Sequence, residues 1–218
     1  MKIGNYRLVN IKNEIHPELF TVKATKALLY MERVFQAIGK KDGAFVECGV
    51  GKGRTFVVLA ILSALEGKER KIIGFDSFSG FPEPSYKDQS PRQAKKGDWH
   101  ITSPEIIRKR LVASGISLEV QNGIVEIIPG FFEQTLSSWR AQPIALLHLD
   151  VDLYDSYKIC LETLYPYVVS GGAVLFDEYI DSENKWPGAV LAIDEFFLSL
   201  PVAPKKDDAS GKYYVIKP

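Results

Sequence analysis

Short apolar runs alternate with longer amphipathic runs from residue 25 to the end of the chain. The short runs have the length and composition of buried strands, and the longer runs have the spacing of helices. The predicted strands are 44–46, 71–75, 125–128, 144–149, 172–176 and 213–216. The predicted helices are 25–38, 55–62, 103–115, 133–139, 154–168 and 188–200. This alternation predicts a single-domain, doubly wound and mostly parallel α/β sheet over residues 1–218, without an internal repeat.

Two segments fall outside the alternation. Residues 1–40 are predicted to form an N-terminal helical extension. Residues 80–103 are rich in Pro, Lys, Asp and Gly and are too long for an ordinary connection, so we expect either a lid or a disordered insertion. Ser103 and Pro104 then have the composition of a helix start, and Gly115 that of a helix end. The first helix is predicted to be amphipathic. Its apolar side should consist of Ala27, Leu28, Met31, Val34, Phe35 and Ile38.

Composition argues against several kinds of partner. Lys plus Arg and Asp plus Glu both number 27, so no net charge attracts nucleic acid or an anionic membrane. No apolar stretch approaches the ~20 residues that a membrane-spanning helix needs. Cys48 and Cys160 lie in apolar contexts without zinc or redox spacing. We therefore expect a cytoplasmic protein with two reduced cysteines and with no nucleic-acid or membrane partner.

A glycine-rich loop joins the first predicted strand to the next helix, and residues 47–53 read Glu-Cys-Gly-Val-Gly-Lys-Gly. Glycines at alternate positions allow a tight turn and a close approach to a ligand, which a Cβ would prevent. The following helix presents unpaired N–H groups to an anionic ligand group. We expect a nucleotide-like cofactor here, and a turn that only links strand to helix is the alternative.

The spacing of this loop bears on which cofactor binds. Dinucleotide loops read G-x-G-x-x-G, whereas this one reads G-x-G-x-G behind an acid, Glu47. A carboxylate suits a cationic amino group better than a pyrophosphate, and S-adenosylmethionine (SAM) carries an amine and no phosphate. Asp76 and Ser77 end the second strand, where an acid can accept hydrogen bonds from both ribose hydroxyls. Together these features favour SAM.

Acidic residues follow two further predicted strands, with Asp150 after 144–149 and Asp177 and Glu178 after 172–176. Ligands of doubly wound sheets bind at this edge, and adjacent strands lie about 4.8 Å apart, so the three carboxylates can converge. Three oxygen donors on a partly open site suit Mg²⁺, with Mn²⁺ as a substitute.

Helix capping is the alternative role for acids at strand ends. Asp152 or Asp155 could cap the helix that begins at Tyr154. Under this alternative, the acids would have no catalytic or metal-binding role.

A metal at this place would have a role in methyl transfer to an alcohol. A divalent ion lowers the pKa of a bound oxygen and fixes its direction, but a base must still accept the proton. Asp150 or Asp152 could be that base. His100, on the possible lid, is a mobile candidate, whereas His148 is more typical of a buried, hydrogen-bonded core histidine. His16 is expected at the surface.

Four motifs resemble the macrocin O-methyltransferase family, and the resemblance covers roughly residues 44–200. It implies a class I SAM-dependent, metal-dependent sugar O-methyltransferase with a Rossmann-like sheet of seven strands. The last strand of that sheet, at 213–216, would run antiparallel, and the protein would form a homo-oligomer. The motifs are the loop at 47–53, Asp-Ser-Phe-Ser-Gly-Phe-Pro at 76–82, Leu-Asp-Val-Asp-Leu-Tyr at 149–154 and Phe-Asp-Glu-Tyr at 176–179.

The resemblance also implies roles for single residues. Asp150, Asp177 and Glu178 would hold the metal, and Asp150 would also lie near SAM and the reacting hydroxyl. The family usually has a second Asp where Glu178 stands, and Glu reaches one methylene further. The SAM contacts would come from Glu47, Gly49, Val50, Gly51, Gly53, Arg54, Thr55, Asp76 and Ser77, with adenine contacts near Gly130, Phe131 and Phe132.

Two other functions stay open at this point. A nicotinamide-dependent oxidoreductase or epimerase usually needs a Tyr-x-x-x-Lys pair, and Tyr154 and Lys158 have that spacing, although they follow two acids at a strand end. A non-catalytic binding module on a methyltransferase fold would not need the intact loop and acid cluster.

The expected partner is a small-molecule hydroxyl acceptor, and we expect residues 80–103 and 181–187 to line its pocket. Their composition fits sugars, polyketides and phenols alike.

Overall fold

The computed structural model describes residues 2–3, 6–7, 21–139, 142–180 and 183–218. Lys2–Ile3 (β1) and Tyr6–Arg7 (β2) form a separate antiparallel pair. The other residues before 21, including His16, lie outside the described residues. No helix within the described ranges is both long enough and apolar enough to cross a membrane.

Strands and helices alternate through the rest of the chain, as the sequence predicts. The strands are β3 (Ala44–Cys48), β4 (Ile72–Asp76), β5 (Val125–Pro129), β6 (Ile144–Leu149), β7 (Val168–Phe176), β8 (Lys205–Lys206) and β9 (Tyr213–Ile216). The helices are α1 (Val22–Ile38), α2 (Arg54–Glu66), α3 (Pro104–Ala113), α4 (Leu118–Ile124), α5 (Phe132–Thr135), α6 (Tyr154–Leu164) and α7 (Pro187–Phe197).

The main sheet has seven strands in the order β5-β4-β3-β6-β7-β9-β8. The pairs from β5 to β7 are parallel, and β9 is antiparallel to both β7 and β8. This confirms the doubly wound, Rossmann-like sheet with an antiparallel last strand. The chain moves outward in opposite directions from the β3–β6 pair, so the carboxyl ends of these two strands form the switch point at which such sheets bind ligands.

Helices cover both faces of the sheet. On one face, Phe45, Phe56 and Ile72 belong to a buried cluster that includes residues of α1, α2 and α3. On the other face, the buried cluster includes residues of α6 and α7 together with Cys48 and Cys160. Both cysteines are free and fully buried, which confirms that they are core residues.

Helix α1 is longer than predicted and less buried at its start. It begins at Val22 because the Thr21 side chain accepts a hydrogen bond from the Ala24 N–H at 3.1 Å. The expectation that Ala27 and Leu28 face the core was wrong, since both are exposed. The buried positions all lie in the second half of the helix, which is the half that packs on the sheet; they are Tyr30, Met31, Val34 and Ile38.

The boundary between α6 and β7 differs from the prediction, and two elements were not predicted. Helix α6 ends at Leu164 because Pro166 lies in a 3₁₀ turn over Tyr165–Tyr167. Strand β7 therefore begins at Val168, four residues earlier than predicted. The sequence analysis also missed α4, which Ser117 caps, and the two-residue strand β8.

The insertion at residues 80–103 is packed against the domain and is not a disordered segment. Phe81 contacts Trp186 edge to face with 5.8 Å between ring centroids. The Ser90 hydroxyl donates to the Lys185 carbonyl at 2.7 Å, and Asp88 is buried. Residues 181–182 of the other predicted acceptor segment lie outside the described ranges.

Candidate active site

The glycine loop fits closely against the end of β6. Gly49, Gly51 and Gly53 have φ values of 82°, 51° and 74°, in the left-handed region that favours glycine. A Cβ on Gly49 would lie 1.8 Å from the carbonyl oxygen of Asp150, and one on Gly53 would lie 2.6 Å from Ile107 Cδ1. A Cβ on Gly51 would meet no atom within 4 Å. Gly49 is therefore required by a backbone contact, whereas a Cβ on Gly53 would need the end of the Ile107 side chain to move, and Gly51 has open space beside it.

Asp76 ties this loop to the turn that follows β4 and precedes the insertion. Its Oδ2 accepts a hydrogen bond from the Gly51 N–H at 2.8 Å, and its Oδ1 accepts one from the Phe78 N–H at 2.7 Å. The Ser77 hydroxyl donates to the Gly80 carbonyl at 2.7 Å. The carboxylate thus links the glycine loop to the turn after β4 and keeps further lone pairs for a ligand.

A cleft opens at the carboxyl ends of β3, β4, β5 and β6, at the switch point. It brings together residues from the glycine loop, the ends of β4, β5 and β6, the start of α6 and the insertion. Eight predicted SAM-binding residues line it, namely Gly49, Gly51, Asp76, Ser77, Gly130, Phe131, Phe132 and Asp150. The other lining residues are Gly80, Phe81, Pro82, Trp99, Glu133, Val151, Asp152 and Ser156.

Five predicted SAM-binding residues of the loop region do not line the cleft, and one of them is Glu47, which lies beneath the loop. Val50 is buried, and its Cγ2 would lie 2.7 Å from a Cβ on Gly74. Gly53 is buried against α3, while Arg54 is exposed and Thr55 half-buried in the first turn of α2. The side chains of these other four residues serve packing or face solvent, so any contact with the cofactor would come from their backbone N–H groups.

Glu47 is buried beneath the loop with one oxygen unpaired. It lies opposite His148 in the β3–β6 ladder, and its Oε1 is 3.0 Å from His148 Nδ1. Glu47 Oε2 is buried and has no hydrogen-bond partner in the described structure. Burial, with repulsion from Asp76, raises the pKa of Glu47 well above its usual range, and burial lowers the pKa of His148. His148 is confirmed as a buried, hydrogen-bonded core histidine.

Three carboxylates converge at the ends of β6 and β7, as predicted. Asp150, Asp177 and Glu178 each offer one oxygen, and these oxygens all lie within 4.8 Å of one another. The parallel ladder aligns them, because the Asp177 N–H donates to the Leu149 carbonyl at 2.9 Å. Burial and then the neighbouring Asp177 raise the pKa of Asp150 well above its usual range. Such a cluster favours a bound cation, since a cation would offset both the repulsion and the burial of charge.

Glu178 points into this cluster although it is one methylene longer than Asp. Its Oε2 lies 2.8 Å from the Tyr157 hydroxyl and accepts a longer hydrogen bond, of 3.4 Å, from the Asp152 N–H. The Tyr157 hydroxyl also lies 2.9 Å from the Leu149 carbonyl oxygen. Tyr157 thereby orients the longer side chain towards the other two acids.

Asp152 lies just beyond β6 and faces the cleft. Its φ of 60° ends the extended conformation and turns the chain towards α6. Burial, with repulsion from Asp177, raises the pKa of Asp152 to about 7. The alternative that Asp152 caps α6 was wrong, because the capping position is Leu153 and the Tyr154 N–H donates to Asp88 instead.

Two other residues differ from what the sequence indicated. His100 is exposed and does not line the cleft, whereas its neighbour Trp99 does. Lys212, which the sequence analysis missed, forms an ion pair with the Asp177 carboxylate. The signal lies in the β7–β9 register: if the pairing of Phe176 with Tyr213 is continued by one residue, Lys212 stands opposite Asp177.

Comparison with known proteins identifies the family of this chain. A family model described as macrocin O-methyltransferase matches residues 21–198. Demethyldecarbamoylnovobiocin O-methyltransferase of Streptomyces niveus is 29% identical over 179 residues, which are 79% of this chain and 65% of that protein. The 8-demethyl-8-(2,3-dimethoxy-alpha-L-rhamnosyl)-tetracenomycin-C 4'-O-methyltransferase of Streptomyces olivaceus is 29% identical over 63% of this chain and 53% of that protein. The chain thus spans less than two thirds of the length of these curated relatives.

The fold is also similar to that of a solved methyltransferase structure. The crystal structure of CalS11, described as calicheamicin methyltransferase, superposes with a TM-score of 0.79 at 26% identity. The match covers 92% of this chain and 82% of CalS11. Because the family model spans most of the chain, the protein belongs to the macrocin O-methyltransferase family.

Proposed function

We propose that the protein is a SAM-dependent, divalent-metal-dependent O-methyltransferase that methylates a hydroxyl of a sugar or of a glycosylated small molecule. The observation that carries this proposal is the position of Asp150. Its carbonyl oxygen lies 1.8 Å from the place that a Cβ on Gly49 would take, and its carboxylate belongs to the acid cluster. One residue therefore joins the cofactor loop to the candidate metal ligands, at the wall of one cleft.

The residues around the loop suit SAM. Glu47 keeps one buried carboxylate oxygen without a partner, and a cationic amino group is the ligand group that would best satisfy it. Asp76 can accept hydrogen bonds from ribose hydroxyls, and Phe131 and Phe132 offer aromatic surface for adenine. The loop reads G-x-G-x-G, so its third glycine is one residue too early for the dinucleotide pattern G-x-G-x-x-G. This weighs against a nicotinamide cofactor.

The acid cluster suits a hard divalent cation. Asp150, Asp177 and Glu178 supply only oxygen donors, which are the ligands that Mg²⁺ and Mn²⁺ prefer. Such an ion, when bound, lowers the pKa of a bound hydroxyl and neutralises the crowded carboxylates.

Asp152 is the residue that we assign as general base. It lines the same cleft as Asp150 but is not one of the three clustered ligands, so its carboxylate can face the acceptor. In this assignment Asp152 accepts the hydroxyl proton while the methyl group passes from the SAM sulfur to the acceptor oxygen, and S-adenosylhomocysteine leaves. Asp150 orients the acceptor, and the exposed His100 takes no part.

The insertion offers an aromatic wall for the acceptor. Trp99 lines the cleft, and the Arg92 guanidinium lies 5.8 Å from its ring centroid and 5.6 Å from that of Trp186. Flat aromatic faces beside a multidentate hydrogen-bond donor suit the mixed polar and apolar surface of a sugar ring. The rhamnosyl group in the name of the Streptomyces olivaceus relative supports the same class of acceptor.

Methyl transfer to a panel of rhamnosides and other glycosides, followed by mass spectrometry, tests this function. We expect a SAM-dependent mass gain of one methyl group, lost with a chelator and restored by Mg²⁺. Calorimetry with SAM and with NADH tests the oxidoreductase alternative, because such an enzyme would bind only NADH. The methyl-transfer assay tests the alternative of a non-catalytic module, which would methylate nothing. A cytoplasmic location and a homo-oligomeric state stay predictions, which fractionation and light scattering would test.

A further inference from the structure

We propose that Lys212 is an internal counter-ion of the acid cluster and that it competes with the divalent metal for the Asp177 carboxylate. The inference rests on the proposed function, because it concerns the same metal site. It adds a residue from a different element, which neither the motifs nor the family resemblance indicate.

The antiparallel end of the sheet positions Lys212. Strand β9 pairs with β7 so that Tyr213 stands opposite Phe176, and the next pair outward is Lys212 with Asp177. The Lys212 ammonium forms an ion pair with Asp177 Oδ1 and donates to the Asp177 carbonyl oxygen at 3.0 Å. Two acceptors on one residue therefore hold this cation at the edge of the cluster.

The turn that presents Lys212 is itself held in place. Asp207 accepts hydrogen bonds from the Ser210 N–H at 2.9 Å and from the Ser210 hydroxyl. The Arg33 guanidinium of α1 binds the same Asp207 carboxylate through two nitrogens, at 3.0 and 2.7 Å. The Asp207 N–H also donates to the Lys212 carbonyl at 2.8 Å. Because Asp207 holds the turn to α1 and to Lys212, the lysine faces Asp177 without a large loss of chain entropy on pairing.

Lys212 and a metal would need the same carboxylate. Asp177 Oδ1 is the atom that Lys212 binds, and Asp177 is one of the three candidate ligands. Two cations at one partly buried carboxylate repel each other strongly, so binding of one weakens binding of the other. The Asp177 carbonyl lets the ammonium remain bound while it releases the carboxylate, so a short movement of the side chain suffices.

This competition has two consequences. Without metal, Lys212 offsets part of the repulsion among Asp150, Asp177 and Glu178 and so stabilises the folded protein. With metal, the same charge lowers affinity and makes the bound ion easier to exchange. Removal of the charge should therefore change stability and metal affinity in opposite directions.

The test compares the wild type with Lys212→Met, Lys212→Arg and Lys205→Met. Lys205 is an exposed lysine of the neighbouring strand β8, so Lys205→Met controls for the loss of one positive charge nearby. Mn²⁺ affinity is measured by electron paramagnetic resonance, and the unfolding temperature is measured in chelator and in Mg²⁺. If Lys212→Met does not fold, Lys212→Gln replaces it.

We expect Lys212→Met to bind Mn²⁺ about tenfold more tightly, which corresponds to ~1.4 kcal/mol. Its unfolding temperature should fall below the wild-type value in chelator and recover in Mg²⁺. Lys212→Arg and Lys205→Met should both bind Mn²⁺ with wild-type affinity. Unchanged or weaker Mn²⁺ binding by Lys212→Met overturns the inference, as does an equal loss of stability with and without Mg²⁺.

Absence of Mn²⁺ binding in every variant also overturns it. Methyl transfer measured in chelator then shows whether only the metal requirement has failed or the whole proposed function. Transfer that persists without metal would remove only the metal from the proposed function, whereas absence of both SAM binding and transfer would remove the proposed function itself.

Discussion

The carboxylate of Asp88 accepts a hydrogen bond from the backbone N–H of Tyr154 at 2.8 Å. Asp88 lies in the insertion, and Tyr154 is the first residue of α6, directly after the segment that carries Asp150 and Asp152. The capping position of α6, Leu153, has no side-chain hydrogen bond of its own. The insertion therefore supplies the cap for the helix that begins at the candidate active site.

Replacement of Asp88 should consequently affect both stability and activity. Asp88→Ala leaves the Tyr154 N–H without its acceptor, and also removes the contacts of Asp88 Oδ2 with the Ser85 N–H and hydroxyl. We expect a loss of about 1–2 kcal/mol in the free energy of unfolding and a lower kcat, since Asp152 would be less firmly held. Urea denaturation and the methyl-transfer assay measure the two effects.

Ser90→Ala is the matched control for this prediction. It removes another anchor of the insertion, the hydrogen bond to the Lys185 carbonyl, without touching α6. If Ser90→Ala lowers kcat as much as Asp88→Ala does, then the insertion matters as a whole and the cap has no separate role.

The first two glycines of the loop should tolerate alanine differently. A Cβ on Gly49 would lie 1.8 Å from the Asp150 carbonyl oxygen, while one on Gly51 would meet open space. Gly49→Ala should therefore prevent stable folding. Gly51→Ala should fold with a loss of about 1–2 kcal/mol, the cost of a left-handed alanine, and should bind SAM at least tenfold more weakly. Circular dichroism and calorimetry measure these results, and equal stability of the two variants would contradict this packing.

Glu47→Gln should weaken SAM binding more than it weakens the fold. Glutamine keeps the volume of the side chain and a partner for His148, but it removes the negative charge proposed to meet the amino group of SAM. We expect about a tenfold rise in the Kd for SAM, or ~1.4 kcal/mol. Glu126→Gln, which changes an exposed acid of β5 away from the cleft lining, is the control and should bind SAM like the wild type. A Kd that Glu47→Gln leaves unchanged would exclude this role.

Glu178→Gln should separate metal binding from folding. The variant removes a buried charge but keeps an oxygen that can accept from Tyr157, so in chelator it should be no less stable than the wild type. In Mg²⁺ it should lose most of the rise in unfolding temperature that the wild type shows. An undiminished rise would mean that Glu178 is not a metal ligand.

The sequence predicted best those features that depend on neighbouring residues. The bounds of β6 and β9 were predicted correctly, because polar, Gly or Pro residues end both apolar runs. The glycine loop and the acids at the strand ends were likewise predicted from neighbouring residues in the sequence alone. The boundary between α6 and β7 was wrong because one apolar run crosses Pro166, and its two halves adopt different structures.

The features that the sequence did not predict depend on distant contacts. The hydrogen bond of Asp88 to Tyr154 spans 66 residues, and no periodicity signals it. Lys212 is one of many lysines until the β7–β9 register places it opposite Asp177. Leu28 has the correct helical spacing but is exposed, whereas Met31 and Ile38 on the same side of α1 are buried.

The account depends most on Asp150 as the residue shared by the cofactor loop and the acid cluster. The most direct test is single-turnover methyl transfer by Asp150→Asn, with SAM and Mn²⁺ binding measured on the same preparation. We predict that transfer falls by at least about 10³-fold and that Mn²⁺ binding is lost, while the affinity for SAM changes only a few-fold. Wild-type transfer with Mn²⁺ binding intact would contradict the account.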